Sequence, residues 1–70
     1  MEVINLRHCI KKFREAAGLS QTDLALKSGV SRATIWALET DNEHVTTTKT
    51  LIKIAKALSV SVESLFSREE

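Results

Sequence analysis

Seventy residues with 43% hydrophobic and 27% charged side chains are ordinary for one small soluble globular domain and argue against disorder. A chain this short hides only roughly 60% of its unfolded surface, which leaves a small core and no catalytic cleft of any size. The formal net charge of +1 is weak evidence for a polyanion partner by itself, the single cysteine excludes an internal disulfide, and no apolar run approaches membrane-spanning length. Together with the lack of a signal peptide, the lone thiol points to a reducing cytoplasm.

Taken in order, the spacing predicts a first helix over residues 5–17, with Leu6, Cys9, Ile10, Phe13 and Ala17 on a buried stripe. Arg7, Lys11 and Lys12 lie off that stripe and are expected to face solvent or a phosphate. Gly18 ends the helix. Cys9, on an apolar stripe with no cluster of His or Cys around it, reads as a small core residue. His8 and His44 are too isolated to suggest a metal site, and neither a metal nor another cofactor is expected.

The stretch from Leu19 to Glu39 holds two short helical patterns on either side of a glycine. Ser20, with Asp23 three residues on, caps a helix over 21–28 whose Leu24 and Ala25 share one face. Gly29 stands where the chain turns sharply, a position that usually needs positive φ. Ser31 then caps a helix over 32–39 with Ile35 and Leu38 inward. Ala25 is small enough for a crossing helix to approach, and Val30, Ile35 and Leu38 lock the crossing. Two helices are therefore expected to meet at a fixed angle, leaving Arg32, Ala33, Trp36 and Ala37 on outward or lateral faces.

Thr40 to Thr46 has turn formers and no apolar period, so it reads as a loop. Helical spacing resumes over 48–58, with Leu51, Ile54, Ala55 and Leu58 inward and Lys49, Lys53 and Lys56 outward; Thr47 or Thr48 is the cap. Ser59 to Ser61 breaks the period, Ser61 caps again, and Val62, Leu65 and Phe66 predict a fifth helix over 62–67 before a fraying tail. No proline, no alternating strand pattern and no glycine-rich loop occurs, so the fold class expected is all-α, a compact bundle of five short helices forming one domain over 1–70. Charge is uneven: residues 1–38 hold six basic and three acidic side chains, residues 39–70 four and six. The basic half contains the helix pair.

The runs SQTDLA, SGVS and RATIWALE, followed by TLIKIAKALSVSVESLF, resemble the helix-turn-helix domain of the Cro and C1 repressor family, also called the XRE family. The resemblance covers about Leu6 to Phe66 and lies in Gln21, Leu24, Ala25, Gly29, Val30, Ile35, Leu38 and Glu39 at these spacings. It implies a lambda-repressor-like five-helix domain whose third helix enters the major groove of double-stranded DNA, usually as a symmetric dimer on a palindromic operator. On that implication Arg32 is the best base reader, since its fork can hold guanine O6 and N7; the competing reading is a phosphate contact or a surface charge. Ala33 and Ala37 can make only apolar contact, most usefully with a thymine methyl. Thr34 is expected to hydrogen-bond a phosphate or its own helix backbone. Gln21 resembles the family glutamine that donates to a phosphate and braces the reading side chains, and Thr22 and Ser31 are expected as additional phosphate contacts. Trp36 stays between two readings: a ring closing the core over the helix pair, or a ring at the groove edge.

Arg14 and Glu39 match a pairing frequent in the family, which would tie the first helix to the recognition helix. Two departures stand out. The loop after the recognition helix carries Asp41 and Glu43, which would repel DNA if they faced it, and Ser59 replaces the usual glycine after the fourth helix. Self-association is expected through the fourth and fifth helices, with Val62 and Phe66 as candidates and completion of the monomer core by Phe66 as the competing role. The function expected is a small, non-enzymatic transcriptional regulator, with no small-molecule ligand evident and no membrane partner. A protein-interaction module such as an antitoxin is the alternative, disfavoured by the shortness of Ser67 to Glu70.

Overall fold

The computed structural model describes residues 7–40 and 46–66. Four α-helices follow one another, α1 (Arg7–Ala16), α2 (Gln21–Ser28), α3 (Arg32–Thr40) and α4 (Thr48–Leu58), and a 3-10 helix (Val62–Phe66) closes the described chain. The expectations for residues 5 and 6, for the loop 41–45 with its two carboxylates, for the tail 67–70 and for the side chains of Arg7, His8 and Phe66 lie outside what is described.

Local chemistry explains most of the helix ends. Ser20 and Asp23 form a full capping box: the Asp23 N–H donates to Ser20 Oγ and the Ser20 N–H to Asp23 Oδ2, both at 3.0 Å. The Ser20 N–H holds the Asp23 carboxyl below the usual carboxylate range, so this cap is intact at neutral pH and is lost only as acid protonates it. Thr47 caps α4 by accepting from the Thr50 N–H. Both α1 and α4 end in Schellman motifs. Leu19 N–H reaches Arg14 O and Gly18 N–H reaches Glu15 O; Val60 N–H reaches Ala55 O and Ser59 N–H reaches Lys56 O.

The second of these motifs needs a left-handed residue, and Ser59 supplies it at φ 59° and ψ 38°. An L-residue pays about 1–2 kcal/mol for that conformation. Ser59→Gly removes this strain and returns part of the gain as extra freedom of the unfolded chain, about 0.4–1 kcal/mol. The variant is expected to raise stability by up to about 1 kcal/mol, read as a rise of a few degrees in the thermal midpoint.

The core is built by Ile10 of α1, Leu24 of α2, Ile35 and Leu38 of α3, Ile54 of α4 and Leu65 of the 3-10 helix, all essentially inaccessible to solvent. Phe13, Leu19, Ala25, Val60 and Val62 pack around them. α2 lies against both α3 and α4, and α1 against α3 and the 3-10 helix. Among the described residues no helix is long and apolar enough to cross a membrane.

Two expectations are corrected. The last element is not a fifth α-helix: Ser64 N–H bonds back to Ser61 O, an i to i+3 spacing, and Ser61 Oγ takes the same N–H. So short a segment cannot recover the cost of nucleating an α-helix, and tighter 3-10 turns serve instead. Ala17 is exposed, not on the buried stripe, because α1 ends at Ala16 and the chain turns into the left-handed Gly18, φ 72°.

Candidate nucleic-acid interface

The junction of α2 and α3 is set by short-range bonds and buried contacts. Gly29 takes φ 76° and ψ 13°, and its N–H closes on Ala25 O at 2.9 Å. Val30 follows as a buried side chain whose N–H donates to Ser28 Oγ. Ser31 Oγ accepts the Thr34 N–H at 3.1 Å and donates to Thr34 Oγ1 at 2.8 Å, starting α3 at Arg32. Thr34 is therefore the hydroxyl of this pair that keeps its own proton available.

A polar clamp fixes the helix pair from behind. Arg14, at the end of α1, donates Nε to Glu39 Oε2 at 2.8 Å and Nη2 to Glu39 Oε1 at 3.0 Å, while Nη1 donates to Leu19 O at 2.8 Å. Gln21, the first residue of α2, donates Nε2 to Glu39 Oε1 at 3.1 Å. The Glu39 side chain is 3% exposed and that of Arg14 11%. Such burial is tolerated because the two planar groups meet as a fork and their remaining sites are hydrogen-bonded. The hydrogen bond to Glu39 outweighs desolvation and raises the Arg14 guanidinium above its ordinary range, so the buried group keeps its charge. One cluster thus joins the end of α1, the entry to α2 and the end of α3.

The family resemblance implied the pairing of Arg14 with Glu39, and the structure shows it, whereas two further partners were not foreseen. Leu19 contributes a backbone carbonyl, which no side-chain pattern reveals, and Gln21 contributes an amide that turns toward α3.

The eight residues marked by sequence fall into two groups. Thr22 and Ser31 are exposed and Gln21 and Thr34 half-buried, all near the starts of α2 and α3. Arg32, Ala33 and Trp36 are exposed along the outer side of α3, with Ala37 half-buried beside them. Trp36 does not close the core: 58% of it is open to solvent, while its neighbours Ile35 and Leu38 carry the packing. With Arg32 and Ala33 it lines an open depression of about 310 Å³. Arg32 has no hydrogen-bond or ion-pair partner among the described residues, so its guanidinium is available to a ligand.

Comparison with known proteins agrees with this geometry. The helix-turn-helix family matches residues 10–65. The uncharacterized HTH-type transcriptional regulator MJ0272 of Methanocaldococcus jannaschii is 38% identical over 65 residues, covering 93% of this chain and 97% of its own. The crystal structure of SinR, the master regulator for biofilm formation, in complex with DNA superposes with a TM-score of 0.83 at 29% identity, over 89% of this chain and 98% of that one. The restriction-modification controller protein C.Esp1396I, as a tetramer in complex with its natural 35 base-pair operator, gives a TM-score of 0.76 at 38% identity, over 91% of this chain and 83% of that one. With its family match, its capped helix pair and its all-α frame, the chain belongs to the helix-turn-helix family of Cro/C1-type transcriptional regulators.

Proposed function

We propose that this regulator reads double-stranded DNA by laying α3 in the major groove, with Arg32, Ala33, Trp36 and Ala37 toward base edges and Gln21, Thr22, Ser31 and Thr34 toward phosphates. The observation that carries the proposal is the outer face of α3. It presents an unpartnered guanidinium and an exposed indole on a helix whose opposite face and far end are fixed by the core and the Arg14–Glu39 clamp. A rigid frame matters because base discrimination depends on placing a planar fork against two acceptors at once. Thr34, with its hydroxyl proton free, is better placed than Ser31 to donate to a phosphate oxygen.

Two copies would occupy inverted half-sites about one helical turn, roughly 34–36 Å, apart. The tetramer that C.Esp1396I forms on its operator supports self-association here. So does Ile52, a large aliphatic side chain 39% exposed on α4. Val62 is half-buried against the core, which limits its contribution to such a surface.

Selection of binding sites from a random duplex pool at fixed salt is expected to enrich an inverted repeat. Sedimentation should show a dimer at tens of micromolar protein or on the selected duplex, by analogy with two-fold symmetric binding in this class of fold. Failure to enrich any sequence would defeat the DNA reading, and a monomer both free and on DNA would defeat the dimer.

A further inference from the structure

We propose that the depression lined by Arg32, Ala33 and Trp36 reads the C5-methyl group of a pyrimidine that lies 5′ to a guanine. It would accept thymine or 5-methylcytosine and discriminate against unmethylated cytosine. The inference rests on α3 being the major-groove helix and adds to it the chemical group that is recognised.

Arg32 and Trp36 are four residues apart and Ala33 and Trp36 three, so all three side chains share one face of α3. Helical side chains lean toward the N-terminus, which brings the Trp36 ring back over the turn that carries Arg32 and Ala33. The three residues line the open depression of about 310 Å³, so an indole, a methyl and a guanidinium are the groups available there. The fold uses neither large group: Trp36 is 58% exposed, and Arg32 is unpartnered among the described residues. A large aromatic surface left in water beside a free cation marks a contact site more than a packing element.

The chemistry of the lining selects the ligand. A phosphate here would meet one cationic group and two apolar surfaces that offer it no hydrogen bond. A methyl group gains from both apolar surfaces. In the major groove the C5-methyl is the apolar feature that base edges offer; thymine carries it, 5-methylcytosine places it at the same ring position, and cytosine has only hydrogen there. Guanine O6 and N7 are the acceptors that fit the Arg32 fork. When the pyrimidine precedes the guanine on one strand, methyl and acceptor pair lie side by side, so Arg32 and Trp36 read adjacent bases in one contact. Methylation of a cytosine in such a step would then strengthen binding, giving the regulator a response to the modification state of its site.

The test uses the full chain and the duplex selected from a random pool. The enriched half-site is expected to contain a thymine–guanine step. Exchanging that thymine for deoxyuridine removes only the methyl and should weaken binding about fourfold per half-site, the equilibrium weight of roughly one buried methyl group. With cytosine at the same position, 5-methylcytosine should restore a comparable factor. Trp36→Ala, whose helix content is checked by circular dichroism, should bind thymine and deoxyuridine duplexes almost equally, because the wall that senses the methyl is gone. Equal affinity of the native chain for thymine and deoxyuridine, or an undiminished penalty in Trp36→Ala, overturns the methyl pocket and leaves DNA binding standing. A chain that selects no sequence at low salt overturns both.

Discussion

Glu39→Ala is expected to lower the unfolding free energy by about 3–5 kcal/mol, because it strips the carboxylate from a buried guanidinium and leaves that charge without its counter-ion. The same change removes the acceptor for the Gln21 amide, so two hydrogen-bonded groups lose their partner together. A 70-residue chain commonly has a total stability of about 3.5–10 kcal/mol, so this single substitution should bring the domain close to half unfolding at ambient temperature. Arg14→Ala should cost a similar amount, since it isolates Glu39 and releases the Leu19 carbonyl. The double variant should cost less than the sum by about 1–3 kcal/mol, the signature of residues acting in one network. Urea unfolding of the four proteins provides the measurement; strictly additive losses would show that the clamp contributes nothing as a pair. Glu39→Gln keeps an acceptor while losing the charge, and should fall between native and Glu39→Ala.

Arg32→Ala should act on recognition and leave stability nearly untouched. The side chain is exposed and unpartnered among the described residues, and substitutions at such positions usually change stability by less than about 0.5 kcal/mol. A bidentate guanine contact is worth about 1–3 kcal/mol of discrimination, so the loss per half-site should be roughly 5- to 150-fold at one base pair. Repeating the site selection with Arg32→Ala should therefore relax the preference at that position in both half-sites. Gln21→Ala makes the contrast. It should weaken all duplexes alike and, because its amide is bonded to Glu39, should also cost about 1 kcal/mol of stability. If Arg32→Ala lowered affinity uniformly and kept the base preference, the guanidinium would be a phosphate contact and the base reader would have to be sought elsewhere on α3.

The different effects expected of these two substitutions follow from where the fold holds the residues. Gln21 donates to the same Glu39 carboxylate that receives Arg14, which ties the entry of α2 to the end of α3. Arg32 sits at the opposite, N-terminal end of α3, free of that network. An exposed, unpartnered cation thus stands on a helix whose far end is held by the clamp. The acidic loop that follows α3 lies outside the described residues, and its effect on affinity is a matter for the salt dependence of binding.

Helix positions and helix ends were legible in the residues themselves, since they depend on neighbours three or four positions away. Ser20 with Asp23, Ser31 and Thr47 are caps in the structure as their spacing indicates, and Gly18 and Gly29 occupy left-handed positions. The apolar stripes likewise announced Ile10, Leu24, Ile35, Leu38 and Ile54 as core. The substitution of Ser59 for glycine was visible too, although only the backbone angles show that the left-handed cap persists despite it.

Tertiary structure decided what local spacing leaves open. Periodicity puts Trp36 beside the inward positions without saying on which side of the packed face its ring falls; in the folded chain it is exposed, next to Arg32 and Ala33. An apolar period over Val62 to Phe66 fits either an α-helix or a 3-10 helix, and the segment's shortness together with its packing against α1 and α4 selected the tighter form. The family resemblance paired Arg14 with Glu39, but the recruitment of the Leu19 carbonyl and the Gln21 amide needs three helices brought together in space. Sequence by itself therefore determined the four α-helices, their caps and, through its motif, the family. Only the folded chain decided which polar groups bury one another and which are left facing outward, because burial depends on residues far apart in sequence and hydrogen-bond patterns within one helix do not encode it.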